Sequence, residues 1–258
     1  MATDKPDMIV LDHVHKTLSG REILRGVDLR IKEGETVVIV GSSGTGKSVT
    51  LKHMVGLMQP DEGRVFIDGE EITYKRGRHL SECRAKFGVL FQSGALIAWM
   101  TIWENIALPL YEHSTLGDDA IAEKVREVMD LVQLEGAEGK RTSQISGGMK
   151  KRAALARAII GQPKILLYDE PTSGLDPVMS RTVDELIMDM QRRLGVTSVV
   201  VTHDLHSAFT IADRVAMLYE GSVVECSHPT EFVKSDHPFV KAFIEAQFKT
   251  GKLQGHPS

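Results

Sequence analysis

The sequence predicts an α/β protein: a mixed sheet core with an antiparallel β subdomain and an inserted α-helical subdomain. Three observations predict it. ETVVIV (35–40) is almost wholly apolar and runs straight into glycines, as a strand covered on both faces does. VFI (65–67) and EEIT (70–73) flank Asp68-Gly69, a pair that accepts the positive φ of a tight hairpin turn. From about residue 104 the apolar period lengthens to that of helices, and strand character returns only at ILLYD (165–169).

Taken in order, Ile9–Val14 reads as a first strand and Glu35–Val40 as a second. A helix beginning VTLKHMVG follows the glycines. The Asp-Gly hairpin adds antiparallel strands beside an otherwise parallel core. Ile121, Val125, Val128 and Val132 recur at helical spacing behind Asp118 and Asp119, with Gly136 as the stop. Ala153–Ile160 is a further helix, ended by Gly161 and Pro163. ILLYD and TSVVVT (197–202) are strands separated by a helix from Pro177 to Leu194. Arg214–Leu218 and Ser222–Glu225 close the sheet as a hairpin around Glu220-Gly221. A helix over 238–248 and a polar end follow, and that tail either caps its own domain, the plainer choice, or braces a neighbouring subunit.

The chain has 258 residues, 42% hydrophobic and 26% charged, an ordinary globular balance that argues against disorder. A net charge of -4 with no basic tail sets nucleic-acid binding behind other classes, and no nucleic-acid partner is expected. Cys83 and Cys226 are too few for a disulfide framework, which fits a reducing compartment. The N-terminal MATDKPDMIVLDHVHK lacks the long apolar region of a secretory signal. No run of about 18 uncharged apolar residues occurs, so any membrane role is expected through a partner.

GSSGTGKS (41–48) meets G-x-x-x-x-G-K-[ST] at every constrained position. Gly41, Gly44 and Gly46 let backbone N–H groups turn toward a phosphate without Cβ interference, with Ser42, Ser43 and Thr45 completing the loop. The helix continuing through Val49 offers its positive end. Lys47 brings charge to the β and γ phosphates, and Ser48 offers a hydroxyl to Mg²⁺. The plain alternative, a glycine-rich linker, is at odds with a strand before the loop and a helix after it. The pattern predicts a P-loop NTPase (RecA-like) core.

In ILLYDEP (165–171) an apolar strand ends in Asp169, suited to the Mg²⁺ shell, and Glu170, suited to orient and deprotonate a water. Two solvated acids at a strand end are the bland reading. A small-molecule kinase has no need of the second carboxylate, and the Asn-Lys-x-Asp motif of a GTPase is absent from the sequence. In QISGGMKKRAALARA (144–158), Ser146-Gly147-Gly148 begins a helix whose N–H groups suit an anion. Lys150, Lys151 and Arg152 crowd that same end, against the helix dipole, as a docked anion would permit. A solvated basic turn explains them equally well.

In chain order, GSSGTGKS, Gln92, ISGGM, ILLYDEP, SGLD (173–176) and His203 resemble the ATP-binding-cassette ATPases over nearly the whole chain. The resemblance implies ATP with Mg²⁺ as cofactors and Glu170, His203, Lys47 and Gln92 as catalytic residues. It makes Gln92 the link from Mg²⁺ to the helical subdomain and His203 the contact to the γ-phosphate. It further implies a homodimer, each ATP lying between the phosphate loop of one copy and Ser146, Gly147, Gly148 and Asp176 of the other. Residues 1–91 and 161–226 become the nucleotide-binding core with its β subdomain, 92–160 the helical signature subdomain, and 227–258 the C-terminal helix and tail. Two positions depart from the pattern: Met149 stands where Gln is usual, and Leu18 where an aromatic commonly stacks on adenine. His15 and Arg21 are candidates to cover the base instead.

FQSGALIAWMTIWENIALPL (91–110) holds both tryptophans and an apolar run from Ala95 to Met100 directly after Gln92. In this family that place receives a membrane permease, and Trp and Met suit docking surfaces. Leu96, Ile97, Trp99, Met100 and Trp103 are expected to divide between a partner groove over Gln92–Trp103 and the insertion's own core. FQSGAL, ENIALPLYEH and SGGMKKRAALARA resemble, more narrowly, the ATPases of Mce-type lipid transporters, including the Mla-type phospholipid systems. That resemblance implies an integral permease, a substrate-binding protein of the Mce fold, a phospholipid cargo, and a seat on the cytoplasmic face of the inner membrane. An ATPase of the same fold serving another cargo, or a non-transport module, are the competing readings.

Overall fold

The computed structural model describes residues 5–92 and 94–249; Ser93 of the predicted docking stretch and residues 250–258 of the predicted tail lie outside the described residues. Two compact units emerge, Met1–Lys75 with Val200–Ser258, and Arg76–Val199.

The first unit opens with β1 (Asp7–Leu18) and β2 (Arg21–Lys32), paired antiparallel. With β4 (Glu62–Ile67) and β5 (Glu70–Glu71) they form a sheet of order β2-β1-β4-β5. The predicted hairpin turn is present, with Asp68 at φ 54 and Gly69 at φ 75, both left-handed as a two-residue turn demands. One face of the sheet is buried through Ile9, Leu11, Leu24, Val27, Ile31, Val65 and Ile67. β3 (Thr36–Val40), buried at all five positions, leads through the phosphate loop into α1 (Lys47–Met54). β3 pairs parallel with β9 (Arg214–Tyr219), which pairs antiparallel with β10 (Ser222–Ser227), so this sheet is mixed as predicted. Before β9 lies α7 (Leu205–Ile211). After β10 come α8 (Pro229–Phe232) and α9 (Pro238–Lys249). α9 packs on its own unit: Phe239 stacks on Tyr219 with centroids 3.7 Å apart, and Val240 is fully buried.

The second unit holds α2 (Gly77–Arg84), β6 (Phe87–Leu90), α3 (Ile102–His113), α4 (Asp118–Leu131), α5 (Gly147–Ile159), β7 (Ile165–Asp169) and α6 (Pro177–Leu194). β8 (Thr197–Val201) leads out of it. β6 and β7 pair parallel. α3 begins on a capping box between Thr101 and Glu104, and its core face is Ile102, Ile106, Ala107 and Leu110. α4 stops at Leu131, with Gln133 left-handed at φ 55, five residues before the glycine that the sequence suggests as its end. α6 is bounded at both ends as predicted, by the Asp176 cap with Pro177 and by Gly195 at φ 64. No helix among the described residues is long and apolar enough to cross a membrane.

Candidate functional site

In the first unit, β3 delivers the chain to Gly41, where a Cβ would come within 2.3 Å of the Leu218 carbonyl oxygen. Gly46, at φ 105, is the N-cap of α1, and no side chain caps that helix. Lys47 is buried to 7% exposure, and its Nζ donates to the carbonyls of Gly41 and Ser42 at 2.7 and 2.9 Å. The Thr45 hydroxyl donates to the same Ser42 carbonyl at 3.0 Å, tightening the loop. Ser42, Ser43, Gly44 and Ser48 face solvent, and Val49 is half-buried. A backbone cradle of left-handed glycines, an ammonium folded over it and a helix start without a side-chain cap fit a polyphosphate.

His203 joins this unit by a backbone route. The Thr202 N–H donates to the Ile39 carbonyl at 3.2 Å, so exposed His203 leaves the sheet beside the strand that launches the phosphate loop. Asp204 then caps α7, accepting from the His206 and Ser207 N–H groups at 2.8 and 3.4 Å. Leu18 lies half-buried at the end of β1, opposite Arg21 across the Ser19-Gly20 turn, and His15 pairs with Glu22 at 3.6 Å.

In the second unit, β7 ends in Asp169, followed by Glu170 in a left-handed conformation at φ 49. A non-glycine residue held there marks a constrained position. The Ser173 N–H donates back to the Glu170 carbonyl at 3.2 Å, and the Gln92 amide reaches the Ser173 hydroxyl at 3.5 Å. Ser146 caps α5, accepting from the Met149 N–H at 3.2 Å, with Gly147 exposed beside it. Gly148 is buried, and a Cβ there would lie 2.3 Å from Met179 Cε. The Asp176 carboxylate accepts from Val178 and Met179 N–H groups at 3.0 Å each, so its first task is to cap α6.

Two of the three basic residues at the start of α5 behave differently from either sequence reading. Only Lys150 is exposed. Lys151 is buried, and its Nζ donates to the backbone carbonyls of Gln92 and Glu170. Burial pulls its pKa down, while the charges of Glu170 and Asp169 pull it back up. Arg152 donates to the carbonyls of Val132 and Gln133 at 3.3 and 2.7 Å. Neither side chain is directed to an external anion; both satisfy carbonyls that loops leave without ladder partners. Sequence reasoning placed Lys151 in the basic cluster but missed its role, because its partners are main-chain atoms and leave no motif.

The segment after Gln92 is a mounted loop. Arg157 donates to the Gly94 and Ala95 carbonyls at 3.0 and 2.8 Å. Buried Asn105 donates to the Ile97 and Thr101 carbonyls and accepts from the Ile97 N–H. Leu96, Ile97, Met100 and Trp103 are half-buried, and Trp99 stands 76% exposed. Beside this loop a cavity of about 760 Å³ is lined by Phe91, Pro109, Leu110, Glu112, Arg157 and others of the same unit.

A glycine cradle with a lysine over it, in a protein that also carries a strand-end acid pair, defines a nucleotide-hydrolysing P-loop protein. The family description "ABC transporter" matches residues 24–173, more than half of the chain, and the chain belongs to that family. It is 41% identical over 239 residues to a probable ribonucleotide transport ATP-binding protein, mkl, of Mycobacterium bovis, covering 93% of this chain and 67% of the relative. It is 38% identical to the chloroplastic protein TRIGALACTOSYLDIACYLGLYCEROL 3 of Arabidopsis thaliana, covering 99% of this chain and 77% of the relative. Among solved structures it resembles a dimeric ATP-binding cassette in a post-hydrolysis state with ADP and Pi. The TM-score is 0.80 at 33% identity, over 86% of this chain and 99% of the other. The protein is thus an ATP-hydrolysing cassette, a class that binds ATP with Mg²⁺, dimerises and works with membrane permeases.

Proposed function

We propose that this chain powers phospholipid transport through a separate integral permease, as a homodimer on the cytoplasmic face of the inner membrane, with an Mce-type substrate-binding protein in the same system. The observation that carries a lipid cargo is the match over 99% of the chain to a relative whose name refers to a galactosyl diacylglycerol; the phospholipid class rests on the Mla-type resemblance alone. The FQSGAL and SGGMKKRAALARA wording points the same way. The ribonucleotide named for the other relative is the competing cargo.

Within the cassette, residues 92–160 serve as the signature subdomain. Ser48, Asp169 and Gln92 are the residues for Mg²⁺, whose positive charge offsets the charge that develops on the transferring phosphoryl group. Lys47 and the N–H groups of residues 41–49 hold the phosphates, and Ser146, Gly147, Gly148 and Asp176 meet the nucleotide of the opposing copy. Glu170 takes the proton of the attacking water, and His203 contacts the γ-phosphate. The cavity beside Phe91 and Arg157, with the mounted loop carrying Trp99, supports a permease seat in which apolar contact is large and the backbone already ordered.

The test is purification of the chain with its permease from native membranes, followed by mass spectrometry of bound lipid and reconstitution into vesicles. Phospholipid movement that depends on ATP is the expected result. Movement of a nucleotide with no lipid carried along would reassign the cargo.

A further inference from the structure

The last turn of α9 grips the residue proposed to sense the γ-phosphate. Gln247 is half-buried, and its side-chain amide bridges two backbone groups of one turn. Its Oε1 accepts from the Leu205 N–H at 3.0 Å, and its Nε2 donates to the His203 carbonyl. Phe248 backs the same turn, its ring 4.9 Å from His206 edge-on and stacked 6.2 Å from Phe209. The other end of the helix is pinned by Phe239 on Tyr219 and by buried Val240, which lies seven residues, or two turns, before Gln247 on the same face. The amide therefore sits at a set height along a helix that is itself fixed to β9.

We propose that Gln247, and through it helix α9, is a positioning element for His203. A backbone held on both sides of Asp204 fixes the direction in which the preceding residue projects its ring. His203 is itself exposed, and its direction is set by that turn. Lost anchoring leaves ATP bound by the phosphate loop and the imidazole misplaced for the hydrolytic step. The inference rests on the proposed role of His203, and it extends that role to a segment that sequence motifs of the cassette leave unassigned.

The experiment measures steady-state hydrolysis and the stoichiometry and affinity of ATP binding in the full chain, for Gln247→Met, Gln247→Glu and His203→Ala. Gln247→Met removes both hydrogen bonds at nearly constant volume. Gln247→Glu keeps an acceptor for Leu205 and sets a carboxylate against the His203 carbonyl. Both are expected to lower kcat about tenfold or more, the scale of one or two lost hydrogen bonds, with ATP affinity held within about twofold. Binding stoichiometry corrects each rate for the folded fraction, so a role in folding alone would lower rate and stoichiometry in proportion and overturn the proposal. Wild-type kcat in both Gln247 variants would overturn it as well. Wild-type turnover in His203→Ala is a separate outcome: it would remove the His203 reading, and with it the target of the anchor.

Discussion

The Nζ of Lys151 donates to the Glu170 carbonyl at 3.3 Å while the same ammonium holds the Gln92 carbonyl, so one buried cation ties α5 to both the residue after β7 and the second residue after β6. α5 begins at the Ser146 cap, one turn before Lys151. The serine–diglycine helix start, the glutamine and the glutamate are thereby mounted on one post.

Lys151→Met keeps the aliphatic stem and removes the donor. The Gln92 carbonyl then loses its charged donor, while the Glu170 carbonyl loses the ammonium and keeps the Ser173 N–H, at a cost of about 1–3 kcal/mol. Thermal melting should fall, and hydrolysis should fall further than melting explains, with ATP still held by the phosphate loop. Hydrolysis at the wild-type rate in the folded variant would cut the link between this post and turnover.

Glu170→Gln keeps the size of the side chain and its left-handed backbone position. It should bind ATP as before and lose about 10² to 10⁴ in turnover, the usual contribution of a general base. Single-turnover hydrolysis measures this directly, and near wild-type rates would take Glu170 out of the mechanism.

Trp99→Ala removes the most exposed large apolar side chain of the loop that Asn105 and Arg157 hold. Because the ring is 76% exposed, its loss leaves the core untouched, and melting and basal hydrolysis should stay as they are. Co-purification with the permease should weaken. Unaltered capture and transport would remove Trp99 from the docking surface.

His53 on α1 is buried, its Nδ1 bonded to the Val49 carbonyl at 2.8 Å. Burial lowers its pKa, with the Val49 carbonyl opposing, Lys16 adding to the effect and Asp61 opposing it. The unfolded chain takes up this proton near about pH 6.5, and the folded chain resists it until lower pH. Stability is therefore intact above about 6.5 and declines as pH falls from there toward the folded value. Melting temperature followed from pH 7 downward should drop less steeply in His53→Asn than in the parent. Parallel curves would mean that His53 does not set the acid slope.

Elements with strong local signals were legible in the sequence. β7, α6 and the β9–β10 hairpin follow from an apolar run, a capped amphipathic stretch and a turn, each readable within its own residues. β2 escaped reading because Gly26, at φ 75, interrupts the alternation of buried side chains between Leu24 and Val27. β6 is four residues with a glycine in the middle, and only contact explains it: a Cβ on Gly88 would lie 2.2 Å from the Ala158 carbonyl oxygen. The sequence expects the apolar run after Gln92 to divide between a partner groove and the core; that Trp99 is the residue facing outward follows from a loop backbone held by Asn105 and Arg157.

The sequence by itself determined that this protein handles a nucleotide phosphate. The phosphate loop is eight consecutive residues whose glycines and helix start spell the anion cradle in one local stretch. Tertiary structure decided what the remaining polar groups do. Lys151 finds carbonyls 59 and 19 residues away, and Gln247 finds one 44 residues away. A main-chain carbonyl is the same at every residue, so which of them a buried donor meets is settled only when the fold brings the two together.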